Sequence, residues 1–142
     1  MTTLDDFPLR TFDKIRYGDT DRQGHVNNAV FTTLLETGRV GLIYDPTNPI
    51  VAEGGSFVIA KLVLEYKKEI HWPGEVQIGT RVAKVGISSL TIEQALFQDE
   101  VCVATSESII VHFDAKAHKS KPLSPAALAW LRARIVPTEP AK

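Results

Sequence analysis

The sequence predicts an α+β fold, an antiparallel sheet curved around one long helix with a short helix at the C-terminal end. Three observations predict it. Residues 29–44 repeat apolar side chains at helical spacing, residues 54–113 switch to a period of two broken by turn signals, and Ser124-Pro125 opens a second, shorter helical pattern. A single long helix with one apolar stripe must bury it against one face of such a sheet. The 142 residues fit one domain. Residues 1–136 are read as that domain and 137–142 as a disordered tail.

Residues 1–8 read as a loose arm. A first strand is expected over 9–17, with Leu9, Ile15 and Tyr17 on one face. Gly18 to Asn28 is dense in Asp, Gly and Asn and reads as a loop. The helix over 29–44 carries Phe31, Leu34, Leu35, Gly38 and Leu42 on one stripe. Asn27 or Asn28 caps it by accepting from a free backbone N–H, and Asp45-Pro46 ends it, because the residue before a proline avoids the α region. Gly38 and Gly41 cost about 1 kcal/mol each relative to alanine. Close approach of another backbone would compensate, so the helix is expected to be buried.

From Gly54 the alternation runs through Val58, Ala60, Leu62, Leu64 and Tyr66, turns at Trp72-Pro73-Gly74, and continues through Val76, Ile78 and Val82. Gly86 interrupts it, and Leu90, Ile92 and Leu96 resume it. After the Asp99-Glu100 turn, a long strand sets Val101, Val103, Ile109, Val111 and Phe113 in one register. In the last helix Ser124 is the cap, Pro125 the first residue, and Leu128 and Leu131 the apolar edge.

Composition excludes several functions. Lys plus Arg total 16 against 17 Asp plus Glu, so there is no basic excess for nucleic acid. No apolar run approaches the roughly 20 residues of a membrane span, and Met1 to Pro8 carries no apolar signal segment. A cytoplasmic protein is expected. Cys102, the single cysteine, reads as a small buried hydrophobe. There is no phosphate loop and no Gly-x-Gly-x-x-Gly, and Gly86-Ile87-Ser88-Ser89-Leu90 lacks the second glycine of a nucleophile elbow. The histidines, at 25, 71, 112 and 118, have no His-Glu-x-x-His or Cys-x-x-Cys spacing, so no metal is expected. Cys102 and His112 stand ten residues apart in one strand, too far to form a nucleophile pair there.

The chemistry is concentrated in Arg16-Tyr17-Gly18-Asp19-Thr20-Asp21-Arg22-Gln23-Gly24-His25-Val26-Asn27-Asn28. The segment leads into a helix N-terminus, where unpaired N–H groups and a partial positive charge suit a developing oxyanion. A carboxylate held nearby can attack a carbonyl or activate a water. The same residues are also ordinary turn and cap formers, so a purely structural loop stands beside the catalytic reading. Asp19 fixes the turn or pairs with Arg16 or Arg22. Asp21, next to the glycine bend, is the better catalytic candidate, and a desolvated pocket would raise its pKa.

Residues 17–31, Tyr-Gly-Asp-Thr-Asp-Arg-Gln-Gly-His-Val-Asn-Asn-Ala-Val-Phe, resemble the signature of the 4-hydroxybenzoyl-CoA thioesterase-like branch of hotdog-fold acyl-CoA thioesterases. Leu35-Glu36-Thr37-Gly38-Arg39 resembles the continuation of that family's central helix, and Val82 to Thr91 its strand pair. The likeness covers roughly residues 9–114. It implies a hotdog fold, a homodimer or homotetramer, and hydrolysis of an acyl-CoA thioester with no metal or redox cofactor, coenzyme A being part of the substrate. It implies Asp21 as nucleophile or general base, the backbone N–H near Asn28 as the carbonyl-polarising group, and His25 and Asn27 as site-lining residues. It further implies an acyl tunnel drawing on Phe57, Val58 and Ile59 of a partner's strand. His25 with Asn27-Asn28 resembles the fatty-acyl members rather than those for aromatic substrates.

Lys84, Ser88 and Ser89 sit where the family's coenzyme A arm often runs, although a strand's wet face accounts for them equally. Lys116, His118, Lys119 and Lys121 form a basic cluster that reads as a solvated loop or as a contact for coenzyme A phosphates. Trp72 and Trp130 read as packing residues. Glu36, if buried, would find a partner in Arg39. Two other functions fit the same resemblance. One is a non-catalytic acyl-CoA-binding hotdog. The other is an enoyl-CoA hydratase-type hotdog, which pairs an Asp with a nearby His but usually carries an Asn-Pro element absent here.

Overall fold

The change of hydrophobic period along the chain becomes a change of element. The computed structural model describes residues 2–135. Its order is β1 (Leu9–Lys14), α1 (Asn28–Ile43), β2 (Gly55–Tyr66), β3 (Glu75–Val85), β4 (Ser89–Gln98), β5 (Val101–Asp114), β6 (Lys119–Ser120) and α2 (Pro125–Arg132). The strands form one sheet in the order β1-β3-β4-β5-β2, with β6 paired to β5. This is the α+β architecture that the sequence predicts. The expected tail at 137–142 lies outside the described residues. No helix among the described residues is long and apolar enough to cross a membrane.

The chain divides into two compact units. One takes the residues up to Leu42, Leu64–Thr80 and Gln94–Ser106. The other takes Ile43–Val63, Arg81–Glu93 and the residues from Glu107 onward. In the first unit the α1 stripe is buried as expected. Phe31, Leu34 and Leu35 pack with Ile15, Val26, Ile70, Val76, Ile78, Leu96, Val103 and Ala104, and full burial of each large side chain stabilises by about 1.5–3 kcal/mol.

Gly38 explains how closely the strands approach. A Cβ there would fall 2.7 Å from Gln94 Nε2, Ile78 Cγ2 and Thr80 Oγ1. The helix is thus approached by side chains of β3 and β4 rather than by another backbone. Gln94 uses that space fully. Its Nε2 donates to Leu35 O (2.9 Å) and to Thr80 Oγ1 (3.0 Å), and its Oε1 accepts from Arg39 Nη1 (3.3 Å). At Gly41 no described residue outside the helix lies within 4 Å of the position a Cβ would take, so the close approach expected there is not found. The buried member of the Glu36–Arg39 pair is Arg39, 5% exposed, while Glu36 is exposed. Burial lowers the Arg39 pKa, and the Glu36 charge opposes that shift.

Two further expectations need correction. The first strand stops at Lys14 rather than reaching 17. The Asp19 carboxylate accepts from the Arg16 N–H (2.9 Å) and draws Tyr17–Asp19 into a 3-10 turn. Tyr17 is exposed and meets the Trp72 ring edge-to-face at 5.2 Å. In β5 Val103 of the expected register is buried, but from Ala104 onward the buried face is Ala104, Ser106, Ser108, Ile110 and His112, while Ile109, Val111 and Phe113 are only half-buried. Three of those five residues are polar, so apolar counting selects the other face. The β4–β5 turn places both Asp99 (φ 51) and Glu100 (φ 67) in the left-handed region, which a two-residue hairpin of this hand requires.

The second unit is organised around His112, which is fully buried. Its Nδ1 lies 3.0 Å from Lys121 O, and its Nε2 accepts from the Ala52 N–H at 3.2 Å. This assigns the proton to Nδ1 of a neutral ring. Both nitrogens are engaged in holding loops, which leaves His112 a structural role. As predicted, Ser124 caps α2, its Oγ accepting from the Ala127 N–H (3.1 Å), and Ala127 and Leu131 are buried. Trp130 is half-buried, with the Arg134 guanidinium 4.0 Å over its ring.

Candidate active site

The loop before α1 is closed on itself by hydrogen bonds, and each bond assigns a residue its place. Asp19 is buried and accepts from both the N–H and Nη2 of Arg16 (2.9 and 3.0 Å). Burial pushes its carboxyl up, but the Arg16 hydrogen bonds and charge outweigh that and hold it below its ordinary value. Asp19 is therefore the structural aspartate of the pair, and its partner is Arg16.

Asp21 is the exposed one. Its N–H donates to His25 O (2.7 Å), and its carbonyl accepts from the Gly24 N–H (3.1 Å). Gly24 sits at φ +82, a conformation glycine adopts without a side-chain penalty. Asp21 Oδ1 accepts from the N–H groups of Gln23 (2.8 Å) and His25 (3.3 Å). One oxygen is thus pinned by the turn, and among the described residues Oδ2 has no hydrogen-bond partner.

Asn27 resolves the choice of cap. Its N–H donates to Asp19 O (2.8 Å), and its Oδ1 accepts from the Ala29 N–H (3.0 Å). Asn28 is the first helical residue. With the Ala29 and Val30 amides taken by Asn27, the Asn28 N–H has no acceptor among the described residues. Its carbonyl is held by the Tyr66 hydroxyl (3.2 Å), and the Tyr66 ring packs edge-on to Phe31 at 4.9 Å.

Asp21, His25 and Asn28 line one open cavity of about 380 Å³, with Val26, Phe31 and Tyr66 as its apolar part and Lys67, Lys68 and Glu69 closing it. A second cavity of about 550 Å³ shares Lys67, Lys68 and Glu69 and extends to His71 and Gln98. Of the site residues expected from the sequence, three meet here. Asn27 commits its side chain to the helix cap and does not line the cavity. Phe57, Val58 and Ile59 lie on β2, and Lys84, Ser88 and Ser89 flank the β3–β4 turn, all in the other unit and none in this lining. Among the basic cluster, Lys116 donates its N–H to Asp114 Oδ1 (3.0 Å) in a tight turn, and Lys119 is exposed.

Sequence reasoning passed over Tyr66, Lys67, Lys68 and Glu69. They were legible only as a strand end and a polar stretch before the Trp72 turn. What joins them to the loop is the pairing of Val26 N–H with Ile70 O (3.0 Å) and the bridge between His25 and His71.

The sequence profile of the thioesterase-like superfamily matches residues 15–131. The chain belongs to this superfamily. No curated protein sequence matches it significantly. Among solved structures it resembles a thioesterase from Thermus thermophilus complexed with coenzyme A and Zn, at 30% identity and a TM-score of 0.78, covering 91% of this chain and 95% of that one. A protein from Bacillus stearothermophilus described as a predicted thioesterase shares 23% identity, TM-score 0.78, with 90% and 96% covered. The DHNA-CoA thioesterase of Staphylococcus aureus shares the fold at 21% identity, TM-score 0.71, with 80% and 78% covered. The hotdog fold and the thioester-hydrolase class expected from the Tyr17–Phe31 motif are therefore those of the family.

Proposed function

We propose that the protein hydrolyses a fatty acyl-CoA thioester to the free acid and coenzyme A, with Asp21 and the Asn28 N–H as the reacting pair. The observation that carries this reading is that one cavity is lined by a carboxylate and by a helix-terminal residue, and that among the described residues one oxygen of the former and the amide of the latter have no hydrogen-bond partner. The amide donates to the thioester oxygen as charge develops on it, which favours the tetrahedral state over the flat ground state. Asp21 takes the proton of an attacking water, or attacks the carbonyl carbon itself to form an acyl-aspartyl anhydride, which water then hydrolyses to the free acid, restoring the carboxylate and supplying the proton that the thiolate takes up. On either route the C–S bond breaks and the thiol leaves with a proton. Val26, Phe31 and Tyr66 supply apolar surface for an acyl chain, and Lys67 and Lys68 supply positive charge for the phosphates of coenzyme A.

A homo-oligomer belongs to the same reading. What supports it is β2, a 12-residue strand at the end of the sheet order with Val58, Ile59, Val63 and Tyr66 exposed. A long apolar edge invites pairing with a second chain. In a dimer joined there, the proposed acyl tunnel draws on Phe57 to Ile59 of the partner chain. The single cysteine suits a reducing, cytoplasmic setting.

A thiol-release assay across short, long, branched and aromatic acyl-CoAs tests the activity, with fastest release expected from a fatty acyl substrate. Binding without release would make the protein a binding module, and addition of water to an enoyl-CoA would make it a hydratase. Light scattering tests the assembly. The wild type is expected to be a dimer or tetramer and Val63→Glu a smaller species.

A further inference from the structure

His25, Glu69 and His71 converge on one point beside an isolated antiparallel bridge between His25 and His71. His25 Nε2 lies 3.1 Å from Glu69 Oε2, His71 Nε2 lies 4.0 Å from the same oxygen, and one donor atom from each residue falls within 4.8 Å of the other two. The geometry points to a binding site for a divalent transition-metal ion, zinc by its ligand chemistry, made by these three side chains.

The backbone accounts for the convergence. Glu69 and His71 flank Ile70, which is fully buried while both of them are exposed, so the two side chains face away from the core. The antiparallel bridge from His25 to His71 and the Val26–Ile70 hydrogen bond set the third side chain opposite them. Gln98 locks the segment further, its Oε1 accepting from the His71 N–H (2.9 Å) and its Nε2 donating to His71 O (2.8 Å). The two imidazoles are 5.4 Å apart between ring centres.

The donor set selects the ion. Two imidazole nitrogens and one carboxylate oxygen suit zinc and its neighbours, whereas calcium takes six to eight oxygens. A tetrahedral zinc with bonds of about 2.0–2.1 Å spaces its ligands about 3.3 Å apart. The present separations bracket that value, and small side-chain rotations reach it. A fourth position stays open to water or to a ligand in the cavity that His25 and Glu69 share with Asp21. Lys67, close by on the same segment, has its ammonium on Glu65 at 3.5 Å. The spacing escapes motif reading because the ligands come from segments more than forty residues apart.

The site is tested by zinc alone, without any thioester, so its outcome is separate from that of the hydrolase reading. Full-length protein stripped with a chelator and dialysed is titrated with zinc in competition with a chromophoric indicator. One zinc per chain is expected, with affinity reduced at least tenfold in His71→Ala and in Glu69→Gln, and unchanged in Cys102→Ser. Circular dichroism checks that each variant is folded, and both ligand variants alter exposed side chains. Absence of stoichiometric binding, or equal binding by the wild type and His71→Ala, overturns the proposal, as does loss of the ion in Cys102→Ser alone.

Discussion

The first turn of α1 and its middle are both lined with polar groups, yet they treat them in opposite ways. At the middle, Gly38 admits Gln94 and Thr80, and the polar atoms of Gln94 are matched to Leu35, Thr80 and Arg39 in a buried network. At the first turn, Asn27 and Asp19 fix the backbone, but among the described residues the Asn28 N–H and one oxygen of Asp21 have no hydrogen-bond partner, and both residues line a cavity. Paired groups in a low-dielectric interior rigidify a fold, and unpaired groups at an open surface remain available to a substrate. One helix therefore pairs its polar groups at its centre and, under the proposed reaction, offers them to a substrate at its end.

If that division holds, substitutions at the two places should separate activity from stability. The largest effect is expected at Asp21. Asp21→Asn keeps the turn-forming oxygen and removes the basic one, so kcat for thiol release should fall by roughly 10²–10⁴-fold while the thermal midpoint stays close to wild type. Full activity in that variant would take Asp21 out of the mechanism.

Gln94→Leu should do the reverse. It leaves a buried guanidinium donor of Arg39 without its acceptor, at a cost of about 2–3 kcal/mol in urea unfolding. The rate per folded molecule should be unchanged. An unaltered unfolding midpoint would mean that the central network does not carry stability.

Asp19→Asn removes a charged acceptor from two Arg16 bonds and should cost about 1–2 kcal/mol. The folded carboxyl titrates below its ordinary value of 3.8. Its contribution is therefore fully present above that value and is lost as pH falls through the lower, folded one. The variant should show a flatter acid limb in a stability–pH profile than the wild type. The smallest effect belongs to Asn27→Ala, about 1 kcal/mol for a lost cap. Because the freed Ala29 amide then competes with that of Asn28, a changed KM beside that small loss of stability would sharpen the contrast between the first turn of the helix and its middle.

Much of the local organisation was legible from residue order. The α1 stripe, the alternation through Val76, Ile78 and Val82, the Asp99-Glu100 turn and the Ser124 cap all depend on neighbours a few residues apart, which the sequence displays directly. The dense Arg16–Asn28 segment was legible as a turn running into a helix cap for the same reason, since its carboxylate, glycine bend and cap are contiguous. The buried face of β5 was not, because Ser106, Ser108 and His112 give no apolar signal even though the core covers them. Nor was the choice of Arg39 over Glu36 as the buried member of their pair, which depends on Gln94 of β4 reaching across to the helix.

By itself, then, the order of residues determined the elements, their caps and the aspartate-bearing loop, because short-range sterics and hydrogen bonding act within a turn or two of the chain. Only tertiary structure decided which polar groups face one another. The pairing of Val26 with Ile70 brings Glu69 and His71 to His25, and Tyr66 hydrogen-bonds to Asn28. Such meetings follow from the register between distant strands, and a shift of a single residue would turn each side chain to the opposite face.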